Sequence, residues 1–287
     1  MISGARDITG FIKGVPPLTA VTYLALGGLF VPTFHKLSTY GWKSADYSHG
    51  PLVLMAFFWL MWKKRDVLQV AADDDFRVVP LILLLFGLAC YGAGSIHGSM
   101  MVESFSIIPI FLGTTGFLLG AKAARSVLFP SLFLSFLVPP PVVFTDMLTS
   151  PLKMLVATAS SRLLEMAGYL VSRNGATILI NDYSIVVGDP CSGLRSLISL
   201  MAVGALYAYL QDSSNLKKTV LFLSIIPISI IANIVRLIML ALITLYMGEA
   251  AAEGFLHGFS GFLLFVIAMV CLVVLDALME RRAKHGH

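Results

Sequence analysis

Long apolar runs alternate with short polar ones along this chain, and most of the apolar runs are too long for strands. A strand takes about 4–8 residues, whereas a helix needs about 20 to cross a bilayer. Eight runs read as spans: 16–34, 50–62, 78–94, 105–120, 126–144, 191–210, 219–247 and 255–279. Residues 147–172 have a different pattern. Leu148, Leu152, Leu155, Val156, Ala159, Leu163, Met166 and Leu170 share one helical face, while Lys153, Ser161, Arg162 and Glu165 fall elsewhere. That pattern predicts an amphipathic helix lying in the membrane interface. Residues 174–187 form two short runs around Asn181-Asp182, which predicts a β-hairpin. The expected fold class is an all-α polytopic membrane protein. It has about eight transmembrane helices, one interfacial helix and a short extracytoplasmic hairpin, in a single membrane-embedded domain covering residues 1–287.

Composition agrees with the pattern. The 287 residues are 57% hydrophobic and 13% charged, with mean hydropathy +0.87, against about 25% charged in soluble domains. Charge adds an orientation. Lys63-Lys64-Arg65, Lys122, Arg125, Lys217-Lys218 and Arg281-Arg282 share one side if both termini are cytoplasmic. Residues 146–190 are then outside. No basic stripe with interleaved aromatics is present, so nucleic acid is not an expected partner. Cys90, Cys191 and Cys271 have neither metal-ligand spacing nor an obvious disulfide pairing, and no metal or cofactor is expected. The N-terminus lacks the pattern of a removable signal peptide.

The candidate chemistry centres on Asp189-Pro190-Cys191-Ser192-Gly193-Leu194-Arg195-Ser196, at the seam between the hairpin and the sixth apolar run. Pro190 suits a first helical position, so Cys191 is expected at a helix N-terminus, where the macrodipole favours the thiolate. Arg195 follows one turn later. Cys191 therefore reads as a nucleophile or as a buried structural thiol, with Ser192 the weaker nucleophile. The seventh run contains Asn233 and Arg236 at i,i+3, and ionisable residues inside spans are by default functional or buried against a partner. At roughly 1.5 Å per residue, Arg236 lies about 27 Å from Lys218, Cys191 about 30 Å from Gln211 and His257 about 35 Å from Glu280. All three then reach one outer layer, with His49 roughly level. The alternatives are a structural cation for Arg236, a helix start at the water interface for His257, and a scaffold role for His49.

These residues resemble the exosortase/archaeosortase family of integral-membrane cysteine transpeptidases. The resemblance rests on Cys191-Ser192-Gly193-Leu194-Arg195-Ser196-Leu197, on Asn233-Ile234-Val235-Arg236 and on His257 opening the last span. It extends to Asp46-Tyr47-Ser48-His49-Gly50 and to the eight-span layout. It implies a catalytic Cys191, Arg236 and His257, with Arg195, Asn233, His49 and Ser192 supporting or binding substrate; accounts of the family favour proton donation by the arginine. It implies cleavage of C-terminal tripartite sorting signals of the PEP-CTERM type, through an acyl-thioester, and transfer to an envelope amine or glycolipid. The implied location is the bacterial inner membrane among its lipids, with the site facing the periplasm. The competing function is a non-catalytic assembly or transport factor for extracellular polysaccharide export, which would tolerate loss of Cys191. A transporter would want ionisable residues at the midplane and broken helices. A rhomboid-like serine protease would want a Gly-x-Ser-x-Gly-type site, and the chain has none.

Overall fold

The computed structural model describes residues 17–43, 47–66, 77–140, 142–180, 183–186, 194–258 and 260–285. Two compact units divide the chain, one ending at Pro140 and the other starting at Pro141.

The first unit runs α1 (Pro17–Lys36), a π turn (Leu37–Gly41), α2 (Gly50–Lys63), α3 (Val78–Ile96), α4 (Met100–Phe105), α5 (Ile107–Leu119), α6 (Ala121–Ser126) and α7 (Leu128–Phe133). A 3-10 turn at Leu134–Leu137 closes it. Small residues let α3 and α5 approach until backbones touch. A Cβ on Gly113 would sit 2.5 Å from the Leu84 amide nitrogen, and one on Gly87 would sit 2.8 Å from that of Ile110. With hydrocarbon outside, van der Waals contact of this kind is what holds membrane helices together. Hydroxyls complete the bundle: Tyr91 donates to the Leu29 carbonyl at 2.8 Å, and the Tyr23 and Thr115 hydroxyls are 2.8 Å apart. Glu103, between the expected spans 78–94 and 105–120, lies in α4 and is 1% exposed. Its carboxylate accepts from Thr33 Oγ1 at 2.6 Å and pairs with Lys36 Nζ at 2.8 Å, so α1 neutralises it.

The second unit runs α8 (Val142–Met166), strands β1 (Val171–Asn174), β2 (Thr177–Ile180) and β3 (Tyr183–Val186), then α9 (Leu194–Leu210), α10 (Asn215–Met247), α11 (Glu249–Gly258) and α12 (Ser260–His285). The strands pair antiparallel in the order β1-β2-β3, with Val171 opposite Ile180 and Ile180 opposite Tyr183. Ile178, Ile180 and Ile185 cover a core made with Val156, Ala157 and Leu164 of α8, Leu237, Leu240 and Ala241 of α10, and Ala252 of α11. A second core joins α9, α10 and α12 through Leu200, Leu221, Ile225, Leu264 and Leu272. α10 turns into α11 at Gly248, whose φ of +86° suits glycine.

Several expectations change. Five helical stretches are long and apolar enough to cross a membrane: Pro17–Gly41, Val78–Ile96, Met100–Leu119, Asn215–Met247 and Leu263–Arg281. Three more are apolar but shorter: Gly50–Lys63, Leu128–Leu137 and Leu197–Leu210. The fifth run, expected to span from 126 to 144, contains only α7 and the 3-10 turn before Val138 turns extended ahead of Pro139-Pro140, because a residue before proline is pushed out of helical conformation. The hairpin has a third strand. Gly168, at φ +91°, follows the end of α8, and Val171–Asn174 pairs back across Gly175. In α8 the expected apolar face is divided: Val156 is buried, but Leu155, Leu163 and Met166 are exposed. The packed face carries Ser160 and Ser161, and Ser160 Oγ lies 3.4 Å from the Ile234 carbonyl of α10.

Candidate active site

Asn233 and Arg236 lie on the buried stripe of α10, one turn apart, between Ser229 and Leu240. Asn233 Nδ2 donates to the Ser229 carbonyl at 2.8 Å. Arg236 is 7% exposed. The next residues toward the C-terminus on that stripe, Leu237, Leu240 and Ala241, pack beneath the strands. Arg236 therefore sits just before the C-terminal end of α10 that packs beneath the sheet. Tyr169, after α8, and Tyr246, near the end of α10, join hydroxyls at 3.1 Å on the same end. That hydrogen bond raises the Tyr169 phenol above its ordinary range.

The opposite end has its own polar group. Asp276 of α12 pairs with Lys217 Nζ of α10 at 2.6 Å and accepts from the Tyr207 hydroxyl of α9 at 2.7 Å. Three helices thus share one level. Measured from it at about 1.5 Å per residue, Leu194 lies about 20 Å up α9, Arg236 about 28 Å up α10 and Ser260 about 24 Å up α12. Asp276 escaped the sequence reading, although a carboxylate inside an apolar run is itself a signal. Lys217 was read only as an orientation marker.

The remaining expected site residues fall as follows. Cys191 and Ser192 lie outside the described residues, in the segment between β3, which ends at Val186, and α9, which begins at Leu194. Arg195 is in the first turn of α9, and its side chain is outside the described residues. His257 does not open the last span. It sits in the last turn of α11, the ten-residue helix that precedes α12, and its side chain is likewise outside the described residues. α11 packs on α10 and α12. His49 belongs to the first unit. It caps α2, is buried, and holds Nε2 3.1 Å from the Phe136 carbonyl of the 3-10 turn. Among the described residues, no group of three His, Cys, Asp or Glu side chains could hold a metal ion.

Apolar helices of crossing length, with a carboxylate, a guanidinium and an amide buried among them, define a multi-pass integral membrane protein. The chain belongs to the transmembrane exosortase family, whose family model matches residues 42–274 and so runs through both compact units. No curated protein and no solved structure matches it.

Proposed function

We propose that this exosortase is a cysteine-type peptidase and transpeptidase that cleaves C-terminal sorting signals of the PEP-CTERM type from exported proteins. Cys191 Sγ attacks the peptide carbonyl beside the sorting motif, and the C–N bond breaks as the leaving amine takes a proton. His257 serves as the acid–base group. Arg236 holds the oxyanion of the tetrahedral state with its guanidinium N–H donors. An envelope amine or glycolipid then takes the acyl group from sulfur and regenerates the thiol. Arg195, Asn233, His49 and Ser192 support the site or bind substrate. The enzyme works in the bacterial inner membrane with its site toward the periplasm, and the substrate's apolar helix lies among the spans. One domain covering residues 1–287 carries the activity.

The observation that carries this reading is the position of Arg236. A cation 7% exposed lies about 28 Å from the Lys217 level, immediately before the part of α10 that packs beneath the strands. The strands lead directly into the segment that holds Cys191, and α11, which holds His257, packs on the same helix. The test is processing of a sorting-signal reporter in cells. Cys191→Ala should abolish cleavage at unchanged protein level, while Cys90→Ala and Cys271→Ala should retain it. Full cleavage by Cys191→Ala would leave the non-catalytic assembly factor as the remaining reading.

A further inference from the structure

Among the described residues the sheet of the second unit ends at β1 on one side and at β3 on the other. A strand edge presents backbone N–H and C=O groups in a row, a template for one more strand. The two edges differ. β1 carries Arg173, whose guanidinium turns back to the Gly175 carbonyl at 2.7 Å, and a charge on an edge strand blunts it. β3 is Tyr183-Ser184-Ile185-Val186, with neither charge nor proline.

Register identifies the groups of β3 that look outward. Two residues separate Ile180 from its partner Tyr183, and two separate Asn174 from its partner Thr177. The pair bracketing a two-residue connection exchanges both backbone hydrogen bonds, and such pairs alternate along an antiparallel ladder. Thr177 and Leu179 therefore bond toward β1, and Ile178 and Ile180 toward β3, so the two hairpins agree on β2. On β3, Tyr183 and Ile185 direct their backbone groups to β2, while Ser184 and Val186 direct theirs away. Among the described residues no backbone hydrogen bond takes up the outward groups. The level of this edge indicates what meets it. Leu240, in the core under the strands, lies about 35 Å along α10 from Lys217, past a hydrocarbon core about 30 Å thick. A polypeptide with an apolar helix among the spans leaves the membrane at this level. Val186 is five residues before Cys191, a chain reach of at most about 18 Å. At about 3.3 Å per residue, an extended strand covers that distance in five or six residues.

We propose that β3 binds the extended segment preceding the substrate's apolar helix as a fourth strand, paired with the backbone of Ser184 and Val186. The inference rests on the peptidase reading above and deepens it, because main-chain pairing fixes the path along which the substrate reaches Cys191. Ser184→Pro tests it. Proline removes an outward N–H, puts its ring where the added strand would lie, and leaves the bonds between β2 and β3 in place. Arg173→Pro makes the same change at an outward position of β1 and is the control. The full chain is expressed with a reporter ending in a sorting signal of the PEP-CTERM type. In a Cys191→Ala background, the photocrosslinker benzoylphenylalanine at Tyr183 should capture the reporter, and at Ser172 of β1 it should not. Ser184→Pro should lower capture at least about fivefold, the worth of one net hydrogen bond, at unchanged protein level, and Arg173→Pro should leave it unchanged. With Cys191 restored, processing should fall by the same factor. Equal capture at both edges, or capture unchanged by Ser184→Pro, would overturn the proposal. So would a second copy of the chain captured at Tyr183 in place of the reporter. Processing without capture at Tyr183 would sink the added strand and keep the peptidase, whereas capture without processing by the Cys191-intact chain would keep the strand and sink the peptidase.

Discussion

Arg236→Lys is the substitution that best separates a catalytic guanidinium from a structural one. The side chain is 7% exposed on the packed stripe of α10, with Asn233 one turn before it and the core under the strands one turn after. Lysine keeps the positive charge at that depth but lacks the planar fork of donors. If Arg236 stabilises an oxyanion, losing that donor geometry lowers the cleavage rate about 100- to 1000-fold, or about 2.7–4 kcal/mol of barrier. The protein should still fold and insert, because the charge remains. If Arg236 is only structural, Arg236→Gln is the harmful change. Leaving a buried partner uncompensated costs about 3–5 kcal/mol, and the amount of folded protein falls. The two effects are similar in size but appear in different measurements. A fluorescent fusion resolved by size-exclusion chromatography gives the folded amount, and pulse–chase of the reporter gives turnover per folded enzyme. Turnover by Arg236→Lys within about twofold of wild type would refute the oxyanion role. So would losses in Arg236→Gln that track protein amount alone.

Three further outcomes follow from the packing. Lys217→Met should destabilise the second unit by about 3–5 kcal/mol by stranding Asp276, which is 11% exposed. The double variant with Asp276→Leu should recover most of that in a thermal melt, and a double variant no better than the single one would deny the pairing. Gly113→Ala should cost about 1–3 kcal/mol by driving a methyl into the Leu84 backbone, whereas Gly92→Ala, with open space at its Cβ, should be neutral or stabilising in the same assay. With Cys90, Cys191 and Cys271 all replaced, a cysteine at Ser172 should react with an impermeant maleimide from outside the cell and one at Asn215 only after lysis; the reverse pattern would invert the topology.

Among the described residues, each of the eight long or shorter apolar helices falls on a run that hydropathy alone located, because a run of side chains that must leave water is a local property of the chain. Hydropathy and spacing also picked out Asn233 and Arg236 inside the seventh run, with Cys191 and His257 visible as letters, but not Asp276 inside the eighth. Local pattern did not say how far each helix continues. Pro139-Pro140 stops the fifth run early, and the eighth run is divided between α11, which ends at Gly258, and α12, which begins at Ser260, so His257 ends α11 rather than opening α12. Strand β1 was hidden because Val171–Asn174 is largely exposed, and a half-polar segment becomes a strand only when Ile180 and its neighbours supply the ladder. The face of α8 that packs was hidden for a related reason. Ser160 and Ser161 look like surface residues in a hydropathy plot, yet small hydroxyls are what allow close approach to α10. The pairings of Asp276 with Lys217 and of Glu103 with Lys36 join residues 59 and 67 positions apart. No periodicity records such partners. Only tertiary structure brings them within hydrogen-bonding distance, where each carboxylate meets the cation that makes its burial tolerable.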